Sequence, residues 1–569
     1  MINSIPSQRS VFIWGISFLL LLIGVFVFAA SASAATYYYV GGTNDHWEKA
    51  ANWSTLPRGA PGSAVPGVDD TAILSYSGTT VRLRSTVSVR ELVLASNWTG
   101  SLLQGTGVLK VGTLGIKVGS GRLVGGNAAI TSSGSYTQTG GIVTGIQNTF
   151  SLSGSLTIMS VNNSRSVFTS TGTLIFSGNA SQNYKIGQNQ VSASIKNLTV
   201  RNTGTSPANK LISTGSGMTL SGALTVTSGN LDLATNSQAL TVKGGITLAD
   251  SALAALTTNS NVTASGTILV NNAATLTVTA GTWTLNDDGD QAVDFDGQSL
   301  YNLTINNTGT SPNNAVWFLS SDPLNIAGSL TVTRGQLDLD TYANEMTVTN
   351  NVSVAASALA EIWSHSAITI GGDLTVGTNG LFTMTSNTVT MNGTSQTITG
   401  NITFSNFSKT VTSAQTLTIG AGNTLTAATM TLQGTAGNLL AIISSSVGTS
   451  WYVNAPVTAW YLHLRDSSSI YATNPLCHEC VDRDRNTGWT FTSTTTTTST
   501  TTTSSSGGGG GRRSVVVPAA VPLPAVVTPK PTVKKTLKEL IAERKQVRMA
   551  KAAALKKLIN ERRLKRMKK

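Results

Sequence analysis

Two stretches of this chain repeat each other closely enough to point to an array. Residues 219–256 read TLSGALTVTSGNLDLATNSQALTVKGGITLADSALAAL, and residues 325–362 read NIAGSLTVTRGQLDLDTYANEMTVTNNVSVAASALAEI. Aligned without gaps, 17 of 38 positions agree at an offset of 106. Upstream, NLTVRNTGTSP at 197–207 matches NLTINNTGTSP at 302–312. A third, worn copy follows. Gln182, Gln291 and Gln396 each come just after a Gly/Asn-rich turn, and Asn197, Asn302 and Asn406 each open a strand-like segment. Self-similarity at a fixed period marks units that bury their apolar faces on one another.

Inside each copy the period is shorter. Strand-like cores begin near Leu224, Leu231, Leu240, Ile246 and Leu253. Alternations such as Leu224-Thr225-Val226-Thr227 put apolar residues on one face and Thr on the other. Gly, Asn and Ser punctuate them at tight corners. Charged residues make up only 11% of the chain, so Thr, Ser, Asn and Gly solvate it, and this is a β composition. The expectation is an all-β, elongated β-solenoid over 75–491 with ~105-residue internal repeats. Tandem β-sandwich domains are the alternative, since ~100 residues also make one such domain. The close strand spacing and the lack of any Cys before Cys477 favour the solenoid.

The ends differ from the repeats. Residues 1–34 read as a signal peptide: Arg9 precedes an apolar run over 11–30, and Ala32-Ser33-Ala34 offers a small-residue cleavage site. The length of that run also fits an uncleaved membrane anchor. Either way the body is expected outside the cytoplasm. Residues 35–74 hold Tyr37, Tyr38, Tyr39, Trp47 and Trp53 and read as a cap over the open solenoid end, with an aromatic platform for sugars as the competing reading. Residues 492–532 are a Thr/Ser/Gly/Pro-rich linker. Residues 533–569 carry the one helical pattern outside the signal, and from Lys534 onward hold 15 Lys/Arg against 3 Glu.

The Trp-rich opening, the GxLTVTxGxLDL repeats and the closing VDRDRNTGWTF at 481–491 resemble bacterial secreted or surface β-strand-repeat proteins, a class that includes adhesins and autotransporter passenger domains. The resemblance implies an elongated parallel β-helix at or beyond the cell surface. It does not extend to a membrane β-barrel or a sortase signal, of which Leu523-Pro524-Ala525 is only a fragment.

Few residues suggest chemistry. Asp287, Asp288, Asp290, Asp294 and Asp296 crowd one Gly-containing loop, and Asp482, Asp484 and Asn486 alternate in another. Alternating oxygen ligands suit Ca²⁺, but Thr487 stands where an EF-hand loop needs Gly, and ordinary polar corners are the favoured reading. In an exported chain, Cys477 and Cys480 are expected to form a disulfide; a zinc site would need His463 or His478 as well. No catalytic constellation stands out. A structural or adhesin-like protein is therefore expected, with a β-helix polysaccharide lyase or hydrolase as the alternative. The rod is expected to meet a surface ligand of unknown kind. The tail cations Lys534, Lys535, Lys538, Arg544, Lys545, Arg548, Lys551, Lys556, Lys557, Arg562, Arg563, Lys565, Arg566, Lys568 and Lys569 form a polyanion-binding segment. Its expected partner is an anionic cell-wall or extracellular polymer.

Overall fold

The computed structural model describes residues 34–492, except 42–44, 63, 77 and 207, together with 546, 549 and 550. The expected signal or anchor over 11–30, nearly all of the linker and nearly all of the basic tail lie outside the described residues. Among those described, strands alternate with turns over 34–492, broken by one short 3-10 turn at Ala50–Asn52, and 546, 549 and 550 are α-helical. The chain divides into two compact units, residues 1–262 with 270–277 and residues 263–269 with 278–569.

Both units are parallel β-helices. In the first, Phe150 pairs with Leu174, Leu174 with Leu198, Leu198 with Leu224, and Leu224 with Ile246, all in parallel register. In the second, the row Leu324, Met346, Ile368, Val389, Phe407 and Met430 climbs one residue per coil. Met346 pairs with Leu324 and with Ile368, so a coil takes 22 residues there. A sandwich would need antiparallel neighbours. The described pairings are parallel, apart from Thr36–Tyr39 against Trp53–Ser54 and an isolated bridge between Thr435 and Asn438, so the tandem-sandwich alternative is set aside.

Period two decides which side chains point inward. Leu224, Val226, Leu240, Val242, Ile246 and Leu248 are at most 1% exposed, while Thr225, Thr241 and Thr247 between them face outward. Each fully buried aliphatic side chain contributes roughly 1.5–3 kcal/mol. One expected strand start is displaced. Leu253 is exposed and belongs to a turn in which Ala254 N–H bonds to the Ser251 carbonyl, so the strand begins at Ala254 and puts Ala254 and Leu256 inside.

The repeated Gln and Asn residues hold the corners. The Gln182 amide donates to the Leu152 and Gly154 carbonyls, Gln291 to Ala264 and Gly266, and Gln396 to Ile370 and Gly372. All three glutamines are at most 2% exposed. Asn197 Oδ1 accepts from Ala223 N–H, and Asn302 Oδ1 accepts from Ser329 N–H one repeat later. A Cβ on Gly222 or Gly328 would stand 2.3 or 2.2 Å from those Asn oxygens, which is why both positions are Gly.

At the start of the first unit, Thr36–Tyr39 pairs in parallel with Thr71–Leu74. Tyr39, Trp47 and Trp53 are buried, Trp47 and Trp53 lie 4.7 Å apart, and Trp53 Nε1 donates to the Trp47 carbonyl. These three rings therefore cannot serve as an exposed sugar platform.

Replacing Gln182 by Leu leaves the Gly178 N–H without its acceptor and removes the Gly154 carbonyl's amide donor. Denaturant unfolding should show a loss of at least about 2 kcal/mol. The outward-facing Thr241→Ala should cost under about 0.5 kcal/mol; equal losses would remove the corner role of Gln182.

Candidate functional site

In the second unit three successive strands run side by side and bring polar side chains together on the face away from the Leu337 row. Leu330–Asp338, Ala360–Ser364 and Leu381–Met384 pair so that Gln336, Glu361 and Leu381 form one row and Asp338, Trp363 and Thr383 the next. Leu337, Ile362 and Phe382 between these rows point into the core. Just past the strands, Asp340, His365 and Thr385 extend the same alternation.

Hydrogen bonds tie these rows together. Gln336 donates to Glu361 Oε2 at 2.7 Å, and Thr383 donates to Glu361 Oε1 at 3.0 Å. His365 Nδ1 lies 2.5 Å from Asp340 Oδ1, with the Asp side chain 7% and the His side chain 27% exposed. Thr385 Oγ1 reaches the same Asp340 oxygen at 3.5 Å. A carboxylate on Nδ1 fixes the imidazole and leaves Nε2 as the proton-accepting nitrogen of the neutral ring. The arrangement therefore combines an oriented imidazole and a bonded carboxylate, Glu361, on one face.

The neighbouring Asp338 serves the backbone. It accepts from Asp340 N–H, Thr341 N–H and Thr341 Oγ1. Its counterpart in the other copy, Asp232, accepts from Thr235 N–H and Oγ1 and from Lys210 Nζ at 2.8 Å. Burial pushes the Asp232 carboxyl up, but these bonds and the Lys210 charge outweigh it and hold the group below its ordinary value. The Asp of the repeated LDL motif is thus a turn latch.

The residues singled out for calcium are not gathered into a metal site. Among the described residues, no group of three or more His, Cys, Asp or Glu is placed to hold a metal ion. Asp287 Oδ2 accepts from Gly266 N–H and Asp290 Oδ1 from Ala315 N–H. Asp294 Oδ1 accepts from Asp296 N–H and Ser320 Oγ. Asp288 donates its own N–H to Asp287. In the last coils, Asp482 Oδ1 accepts from Asp484 N–H and Asn486 Nδ2, while Asp484 pairs with Arg485. The carboxylates of Asp287, Asp290, Asp294 and Asp482 thus accept from turn N–H groups and side chains. Burial raises the Asp294 carboxyl above its ordinary value, and the like charges of Asp322 and Asp296 add to the rise.

Cys477 and Cys480 form a disulfide, so neither thiolate is free for zinc. His478 stacks on Trp460 at 4.1 Å. His463 is held below its ordinary value by burial and by the charges of Arg483 and Arg465.

Sequence reading missed Asp340, Glu361, His365 and Lys409. For the first three the signal was spacing: Gln336 to Glu361 and Asp340 to His365 are each 25 residues apart, one coil. That spacing becomes informative only once the coil length at this point is known. Lys409 sits inside the coil, 0% exposed, and donates to the Gly393 carbonyl and, at 2.7 Å, to Gln396 Oε1. No carboxylate is among these partners, and burial pulls its pKa down to about 8.

No family model, curated protein or solved structure matches the chain. Among the described residues, no helix is long and apolar enough to cross a membrane.

The buried lysine makes stability depend on pH. Between about 8 and 10.5 the folded Lys409 has released a proton that the unfolded chain still holds, so stability should rise with pH through this window. Chemical denaturation at pH 7.5, 9 and 10.5 should show that rise relative to Lys409→Met. Parallel profiles for the two proteins would contradict the lowered value.

Proposed function

We propose that this chain is an exported bacterial surface protein of the structural or adhesin-like kind. In this reading its β-helix is a scaffold and its basic tail binds anionic cell-wall or extracellular polymers. The observation that carries the reading is the charge of residues 534–569, where 15 Lys/Arg stand against 3 Glu. Such density attracts polyanions through space and releases their counterions. Export is supported by the apolar run over 11–30 followed by Ala32-Ser33-Ala34, and by the disulfide between Cys477 and Cys480. The capping role of residues 35–74 is supported by the buried Tyr39, Trp47 and Trp53 beside the strand Thr36–Tyr39. A non-enzymatic role is supported by the use of Asp232, Asp338 and the two acidic loops as turn latches. An anchor that stays in the membrane through 11–30 is the second means of attachment compatible with this reading.

The competing reading is a polysaccharide lyase or hydrolase. Its support is the Asp340–His365 pair, which supplies an oriented base on the same strand row as Glu361.

The full chain should bind anionic beads near 0.15 M salt and wash off at 1 M, where the Debye length falls from about 8 Å to about 3 Å. A variant truncated after Gly511 should not bind; equal, salt-insensitive binding by both would move attachment elsewhere. Incubation with a panel of plant and microbial polysaccharides, with and without Ca²⁺, should yield no new reducing or unsaturated ends. Cleavage by the wild type that His365→Ala abolishes would establish the enzymatic reading instead.

A further inference from the structure

Among the described residues, Trp460 is 38% exposed while every other Trp is buried. A lone exposed ring needs no explanation, but this one is built into a cluster. Trp460 ends the strand Val457–Trp460, in which Ala459 faces inward and pairs with Cys477. Period two therefore puts Trp460 in an outward column, with Gln433 on the coil before and His478 and Thr492 on the coils after. His478 stacks on the indole at 4.1 Å with 15° between the planes, and Thr492 Oγ1 lies 3.3 Å from His478 Nδ1. The Cys477–Cys480 disulfide closes the loop that carries His478. One face of the indole is thus backed, and the other is turned toward the coil that carries Gln433.

Tyr461 turns the corner next to Trp460. Its φ is +56°, a left-handed conformation that a bulky residue rarely adopts and that recurs at functional sites. The turn sets its ring 6.3 Å from that of Trp460, tilted by 43°. The preceding coil rounds the same corner through Gly434, where a Cβ would stand 2.5 Å from the Tyr461 carbonyl. Thr435, Ala436 and Gly437 follow, so no bulky side chain occupies the corner below the two rings. The polar groups around the rings are unused. Gln433, Trp460 and Tyr461 make no side-chain hydrogen bond among the described residues. They offer an amide, an indole N–H and a phenol, which together donate and accept. Residues 410–464 contain no Asp, Glu, Lys or Arg. Glu479 rounds the corner one coil on, on the side of the indole that His478 covers.

We propose that the Trp460–Tyr461 corner, with Gln433, is a binding site for a neutral polysaccharide built of hexopyranose units. A pyranose with equatorial hydroxyls presents C–H groups on its faces and hydroxyls around its rim. The C–H face packs on an indole, and the hydroxyls exchange hydrogen bonds with side-chain amides, phenols and the indole N–H. This corner offers all of these in one place. The uncharged coils around it disfavour a charged polymer, which would lose water there without gaining a counter-charge. The stacked His478, on its disulfide-closed loop, orients the indole before any ligand arrives, so little ordering is left to binding. Tyr39, Trp47 and Trp53 at the other end are buried and cannot meet a sugar in this way. The site gives the rod a partner of its own, and it stands whether or not the tail binds anionic polymers.

Titration calorimetry of the full chain with a soluble β-glucan, an α-glucan, a mannan and a galactan tests this. At least one of the four should bind, and 1 M salt should change its affinity by less than about twofold, because no ionic contact is there to be screened. Trp460→Ala should weaken binding about tenfold or more and Gln433→Ala about threefold, while Trp460→Phe keeps a ring and should lose less than Trp460→Ala. Both positions face outward, so near-UV circular dichroism should confirm folded variants; should Trp460→Ala fail to fold, Gln433→Ala carries the test. Three results would each overturn the proposal: no binding of any of the four polymers, affinity unchanged in the folded variants, or affinity lost at 1 M salt. Failure of the full chain to bind anionic beads would count against the tail reading alone, because binding at this corner is read at 1 M salt, where the tail's charges are screened.

Discussion

The parallel backbone ladder between successive coils is the constraint on which every other feature of this structure depends. Each strand donates and accepts along its length with the coil before and the coil after, so residues one coil apart stand in register at about 4.8 Å. From that follow the inner rows, such as Leu224 on Leu198 and Ile246 on Leu224, and the outer rows of Thr beside them. Buried rows of Leu, Ile and Val supply the hydrophobic contribution, and the Thr rows keep a chain with few charges solvated.

Corners are where a ladder is hardest to satisfy, because the backbone turns away from its neighbour. This chain fills that gap with side-chain amides. Gln182, Gln291 and Gln396 each supply two donors to carbonyls one coil below, and Asn197 and Asn302 accept from the next coil. Lys409 is the exception. In the worn third copy a buried ammonium donates to Gln396 and to a corner carbonyl, as Asn202 does at Gln182 in the first copy. A neutral amide does this without the cost of burying a charge; the lysine does it with a lowered pKa.

The outer surface carries whatever function the scaffold presents. Asp340 and His365 form an oriented pair, and Gln336 and Thr383 hold the Glu361 carboxylate. In the proposed reading, surface attachment draws on the tail's cations, so ionic strength sets its strength.

The sequence by itself determined the fold class. A 106-residue offset with 17 of 38 identities, strict two-residue alternation and Gly/Asn punctuation admit little beyond a stack of short strands, because period two must place one face inside. It also marked Gln182, Gln291 and Gln396 as special before their hydrogen bonds were known. What only the tertiary structure decided was register. Leu253 reads as a strand start and lies on the surface, since a turn at Ser251 shifts the strand by one residue and a shift of one reverses every side chain. Asp340 and His365 are far apart in sequence and neighbours in space, and their meeting depends on the length of the individual coil between them. That length varies with each loop, so local pattern cannot supply it. For the same reason the aspartates clustered in sequence over 287–296 divide between two corners and bond to different turns, while the residues that do converge carry no shared motif.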